Sequence, residues 1–142
     1  MPKLPHNRTW YLKKLVEKAK RCVKIRDNYT CVRCGKYVEG ANCHASHILN
    51  VGSHKSLELD PSNMKVLCGM PCHLSWWHKN PLEASEWFHK KYPDRYTYLK
   101  EIAKRKIKIP TVDLAELHDN TKSDGSDFGT KYYELIKEKI NG

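Results

Sequence analysis

Residues 31–35 read Cys31-Val32-Arg33-Cys34-Gly35, and residues 68–73 read Cys68-Gly69-Met70-Pro71-Cys72-His73. Two tight cysteine pairs on short loops are the usual way to bring four thiolates round one tetrahedral zinc ion. Gly35, directly after the first pair, predicts a turn of positive φ, which glycine adopts without steric cost. The competing reading, an untidy set of free thiols, leaves this spacing unexplained. Cys22 and Cys43 fall outside the pairs.

The length, 142 residues, suits one domain with a tail. Hydrophobic residues make up 39% and charged residues 30%, so only a modest core is expected. No apolar run approaches the roughly 20 residues that span a bilayer. The opening residues Met1 to His6 lack the apolar stretch of a signal peptide, which predicts a cytoplasmic protein. That compartment disfavours three disulfides and favours a metal. Lys and Arg outnumber Asp and Glu by 26 to 16, a formal net charge of +10. Such an excess attracts polyanions, because each phosphate contact releases condensed counterions. Nucleic acid is the partner this implies, with plain solubility as the bland alternative.

Apolar residues at Leu12, Leu15, Val16, Ala19, Cys22 and Val23 predict a helix over 9–27, capped by Thr9, lysine-rich on its far face and ending near Asn28. After the first cysteine pair, Lys36 to Val38 and Cys43 to Ile48 read as a short hairpin turning at Glu39 to Asn42. Residues 49–62 form a polar loop, and Asn63 to Leu67 lead, extended or as a helical turn, into the second pair. Pro81 and Pro93 divide the region after Cys72 into helices near 72–79, 82–91 and 94–107, with Asn80 as a cap for the second. Pro110 ends the pattern. Residues 119–130 read as a linker, and Lys131 to Ile140 as an amphipathic helix that docks on the core or on a second copy, which makes a homodimer plausible. The expected segments are a basic helix (1–30), a zinc-stapled core (31–80), a helical extension (81–110), and a linker with a last helix (111–142).

One ion held by Cys31, Cys34, Cys68 and Cys72 would clamp a hairpin and a helix start at a common base: an α+β fold with a small ββα core and flanking helices, helix-rich overall. Its closed ligand shell makes that zinc structural. The hairpin carries His44 and His47, and the helix start carries His73. His44 and His47 are three apart, so an ideal strand points them to opposite faces, and a bulge or strand end near Ala45-Ser46 is needed to bring both to one gap. There, His44 and His73 would hold a second divalent ion, with His78 as a possible further ligand or phosphate contact. His47 would take a proton from water, and Asn63 would fix the loop or orient His47 through a backbone carbonyl. Trp76, Trp77, Trp87 and Phe88 read as packing residues, and His54 and His118 as exposed.

The run "CVRCG … CHASHI … DPSNMKVLC … CH" resembles the HNH (ββα-metal) endonucleases. "IRDNYTCVRCG", "ASHI", "LDPSN", "LCGMPCH" and "NPLEASEWF" are similar to the phage and prophage NinG (Rap) group of recombination nucleases, over about residues 20–105. The resemblance implies His47 as general base, Asn63 as the orienting asparagine and His73 as a metal ligand. It also implies Mg²⁺ or Mn²⁺ as the catalytic ion beside a structural Zn²⁺, 5′-phosphate and 3′-hydroxyl products, and branched DNA as substrate in a phage-infected cell. Ser46 departs from the pattern, since many members place Asp or His directly before the base. His44 stands three before it, where the NinG type tends to place an acidic residue. The rival from another class is a non-catalytic zinc module that binds nucleic acid.

Overall fold

The computed structural model describes residues 3–141; Met1, Pro2 and Gly142, at the ends of the first and last expected segments, lie outside the described residues. The fold is helix-rich α+β, with five α-helices around one two-stranded antiparallel sheet. Helix α1 spans Arg8–Arg26. Tyr11, Leu15, Ala19 and Val23 recur every four residues along it and are 0–2% exposed, so one stripe of the helix is the floor of the main core. The cap is Asn7 rather than Thr9: its side-chain oxygen accepts from Trp10 N at 2.9 Å, and Thr9 lies inside the helix. Asn28 and Tyr29 then take left-handed φ values of 55° and 52° and turn the chain into the first cysteine loop.

The expected hairpin over 36–48 is replaced by a longer one. Tyr37 makes only an isolated bridge with Thr30. Strand β1, Cys43–His47, pairs antiparallel with β2, Met64–Cys68, across the loop 48–63. Every residue of β2 is buried, so its pairing brings far more apolar surface together than the polar segment 36–38 offers. The ladder runs in unbroken register from Cys43 opposite Cys68 to His47 opposite Met64. The expected bulge at Ala45-Ser46 is therefore absent, and alternation assigns His44 and Ser46 to one face and His47 to the other.

Directly after β2, Gly69–Trp77 forms a π-helix, starting before the expected 72 and interrupted only by non-helical Met70. Helices α2, Pro81–Lys91, and α3, Pro93–Arg105, come next, with prolines at their first positions. Asn80 stands at the N-cap of α2 as expected, its carbonyl accepting from Ala84 N–H, but its side chain makes no capping bond and its amide points back to the Trp76 carbonyl. A second apolar cluster of Leu57, Phe88, Leu99 and Ile102 joins these helices to the loop between the strands.

Part of the expected terminal linker is helical. Helix α4, Thr111–Asn120, buries Leu114, Ala115 and Leu117, and α5, Phe128–Asn141, buries Phe128, Tyr132 and Ile136, in the same core as α1. The apolar face of α5 thus docks on its own chain. Lys18 of α1 is buried: its ammonium donates to the carbonyls of His118 and Thr121, at 2.7 and 2.9 Å, where the α4 dipole is negative. His118 rests against the rings of Trp10 and Tyr11, and both it and His54 are partly buried rather than exposed.

Candidate functional site: a four-cysteine centre and a row of histidines

The ligand atoms of Cys31, Cys34, Cys68 and Cys72 lie within 4.8 Å of one another, the one such group of three or more Cys, His, Asp or Glu residues among the described residues. A tetrahedral zinc with Zn–S bonds of about 2.3 Å needs sulfurs about 3.8 Å apart. Cys34 Sγ and Cys68 Sγ are 4.0 Å apart, so the group fits that ion. Three of the thiols are buried and Cys34 is exposed. Burial pushes the Cys72 thiol up to about 12. In Cys31 burial is outweighed by the backbone N–H groups of Cys34, Cys68 and Arg33, which hold it at about 7. The Arg33 guanidinium faces Cys72 Sγ at 3.5 Å while stacking 3.9 Å above the Trp76 ring. The four side chains can hold a metal such as zinc.

Local backbone bonds explain the convergence. Gly35 has φ +79°, as expected, and its N–H returns to Cys31 O at 2.8 Å, folding the first loop. Val32 N–H donates to Val66 O, tying that loop to β2. Gly69 lets the second loop pass against β1, since a Cβ there would stand 3.0 Å from Asn42 Oδ1 and 3.1 Å from the His44 ring.

His44, His73 and His78 form a row on one side of this centre. His44 Nδ1 and His73 Nδ1 are 2.7 Å apart, and His73 Nε2 and His78 Nε2 are 3.0 Å apart. At the far end His44 Nε2 lies 2.8 Å from Ala41 O, which can only accept. For neutral rings that fixes every proton. His44 donates from Nε2 to Ala41 O, His73 donates from Nδ1 to His44, and His78 donates from Nε2 to His73. Burial is the main cause that lowers His73 to about 4, with its neighbours His78 and His44 adding to it, so the ring is neutral at pH 7. His44, with one nitrogen donating to a backbone carbonyl and the other presenting a lone pair, has the arrangement of a metal-ligating histidine.

The π-helix makes the His73–His78 pair possible. In an α-helix, residues five apart point about 140° away from each other. The i→i+5 pattern returns them to nearly one face, and His78 N–H donates to His73 O at 3.2 Å.

His47 lies outside the row. It is partly buried, and its Nε2–H donates to Glu58 O at 3.1 Å, leaving Nδ1 with the lone pair. Burial lowers its pKa, opposed by the Glu58 carbonyl. Asn63 is fully buried and works on the loop: its Oδ1 accepts from Leu49 N, and its amide donates to Leu49 O and Leu57 O. It thereby fixes the backbone next to the carbonyl that holds His47, one of the two roles expected from sequence.

Two supports of the site escape a reading of the sequence. Lys65, opposite Ser46 in the ladder, is fully buried; its ammonium donates to Ser46 Oγ at 2.9 Å and lies 3.2 Å from the Trp77 ring centroid. Burial drives its pKa well down. Ser46 is thus engaged by the Lys65 amine. The turn carrying Asn63 is held from three helices. The buried Asp60 carboxylate accepts from Tyr98 OH and Tyr133 OH, each at 2.7 Å, and from Ser62 N–H. Arg26 donates to Pro61 O and Met64 O, and Arg95 to Met64 O. The Asp-Pro pair marks the turn; nothing local in the sequence marks its distant partners.

No helix of the structure is long and apolar enough to cross a membrane. Comparison of the chain with protein families, with curated proteins and with solved structures finds no match.

Proposed function

We propose that the chain is a metal-dependent DNA endonuclease of the HNH (ββα-metal) type, similar in pattern to the NinG (Rap) recombination nucleases. The observation that carries the reading is the pairing of two preparations around β1. On one side His44 and His73 meet, with His78 against the other nitrogen of His73; on the other His47 is held by the Glu58 carbonyl in a loop that Asn63 pins. The chain order of strand, strand and helix, clamped by four cysteines, supports the same reading.

A divalent ion between His44 and His73, replacing the proton they share, would neutralise phosphodiester oxygens and stabilise the leaving 3′ oxygen, with His78 against the other nitrogen of His73 as a phosphate contact. Imidazoles without a carboxylate suit Ni²⁺, Zn²⁺ or a similar transition ion; Mn²⁺ fits less well and Mg²⁺, which demands oxygen ligands, is the poorest fit. His47 Nδ1 is the free lone pair that accepts the proton of the attacking water, giving 5′-phosphate and 3′-hydroxyl ends. β1 pairs with β2 alone, so a phosphate lying along its outer edge meets groups from both faces of the strand. The surplus of basic residues draws in DNA, with branched recombination intermediates as the substrate the resemblance favours. The setting would be the cytoplasm of a phage-infected cell.

A second reading, a zinc module that binds nucleic acid without cutting it, is favoured by the placement of His47 across the strand from His44. One assay separates the two. The protein and a His47→Ala variant are incubated with linear and branched DNA in Mg²⁺, Mn²⁺, Ni²⁺ or EDTA. Cleavage by the wild type alone, strongest with the transition ions and abolished by EDTA, is expected. Equal cutting by both proteins removes His47 from the mechanism, and no cutting by either selects the binding module. A base must be neutral, and the lowered pKa keeps His47 so down to below the ordinary 6.5 of imidazole. Cleavage should therefore persist at pH 6.5 and fall only in more acid solution.

A further inference from the structure

A slot of about 160 Å³ opens beside the candidate site, between the loop after β1 and helices α2 and α3. Its position is set by the site itself. Ile48, directly after His47, forms one wall, and Trp77, which precedes His78, forms another. Tyr96 supplies further aromatic surface over a floor that includes the buried Phe88, and Ser85 and Lys100 are exposed residues at its lip. The walls are rigid. Phe88 is 1% exposed in the second apolar cluster, Tyr96 stacks on His89 at 3.9 Å, and Trp77 has Lys65 against its ring. Ile48 N–H is bonded to Asn63 O at 2.8 Å, so this wall and the loop that holds His47 move as one.

Size and chemistry select the occupant. A dry apolar cavity of about 150 Å³ admits one benzene ring, so this slot accepts one six-membered ring and excludes a paired base. Aromatic walls bind flat rings by stacking, without choosing among sequences. Lys100, 5.5 Å from the Tyr96 ring, puts a cation at the lip of the slot, available to a phosphate of a bound strand. We infer that the slot receives one unpaired pyrimidine base of a DNA strand whose neighbouring phosphate lies at the histidine site. The inference rests on the nuclease or DNA-binding reading and adds to it a substrate class: DNA with at least one unstacked nucleotide. A base in continuous duplex would first have to be unstacked, unpaired and extruded.

The test uses the full chain, zinc-loaded, and three oligonucleotides: a duplex with one bulged thymidine, the same duplex with an abasic residue at the bulge, and a fully paired control. Affinities are measured in EDTA-free buffer with Ca²⁺ in place of a catalytic ion. The bulged thymidine should bind about tenfold tighter than the abasic bulge, the lower part of the range for one stacked base. Ser85→Trp, an exposed position that fills the slot without cutting into the core, should abolish that difference. Lys100→Glu should weaken binding of the bulged thymidine and lower its salt dependence by about one phosphate contact. Equal affinity of the wild type for thymidine and abasic bulges overturns the slot while leaving DNA binding intact. A thymidine preference that survives Ser85→Trp also overturns it. Failure to bind all three DNAs sinks the functional reading and the slot together.

Discussion

The four-cysteine corner and the Asp60–Asn63 turn do the same job by opposite chemistry. The first places Cys72, and with it His73; the second places Asn63, and with it the loop that holds His47. The corner is held by sulfur atoms whose mutual attraction is small unless an ion joins them. The turn is held by oxygen and nitrogen groups that satisfy one another: a carboxylate with three donors, and carbonyls with two arginines. One half of the site can therefore be released by chelation, and the other only by unfolding.

The largest break is removal of zinc, or Cys68→Ser. Structural zinc sites contribute roughly 10–16 kcal/mol of apparent binding energy. Amide exchange should lose protection across 31–38 and 69–77, while α1 and α5, which share an apolar core, keep theirs. Equal loss in both regions would show that the corner is not a separable unit. Asp60→Ala is the counterpart in the turn. It leaves two partly buried tyrosine hydroxyls and one backbone N–H without their acceptor, and about 3 kcal/mol of stability should be lost in urea unfolding, with zinc still bound. Tyr133→Phe removes one of these bonds and should cost about 1 kcal/mol.

The gentlest probe is pH. Burial raises the Asp60 pKa above the ordinary 3.8 despite the bonds from Tyr133 and Tyr98. A carboxyl raised on folding stabilises below its unfolded pKa, and that contribution is lost as pH climbs through the folded value. Lowering pH from 7 towards 4 should thus stabilise the wild type relative to Asp60→Asn in zinc-free protein. Acid acts the other way on the corner, because protons compete with the ion for the thiolates. Opposite slopes in the zinc-free and zinc-loaded proteins would sharpen the contrast, and parallel slopes would erase it.

The corner is legible in the sequence, whereas much of its surroundings is not, and the reason is range. Cysteine spacing, the glycine after Cys34 and the prolines that open α2 and α3 are local signals, and each acts where it stands. The partner of β1 escapes such signals because strand pairing is a choice among distant segments: only the burial of Met64 to Cys68 on both faces decides against Lys36 to Val38. Lys18 and Lys65 look like solvent residues because lysine usually is one. Their buried partners, the end of α4 and the Ser46–Trp77 pair, come from elsewhere in the chain. At the site, His44 and His73 meet as their spacing from the cysteines suggests. The separation of His47 comes from the regular ladder, which two-residue periodicity already indicates.

The five-residue turn between His73 and His78 makes length, rather than composition, the property this segment cannot surrender. Side chains at 74 to 77 are open to exchange as far as the imidazole pair is concerned. Inserting one more among them would swing the last imidazole by roughly 80–100° about the axis, off the face it shares with His73. Such a protein would retain every histidine and cysteine of the site, and its gapped alignment would look harmless, yet its row of rings would be one member short.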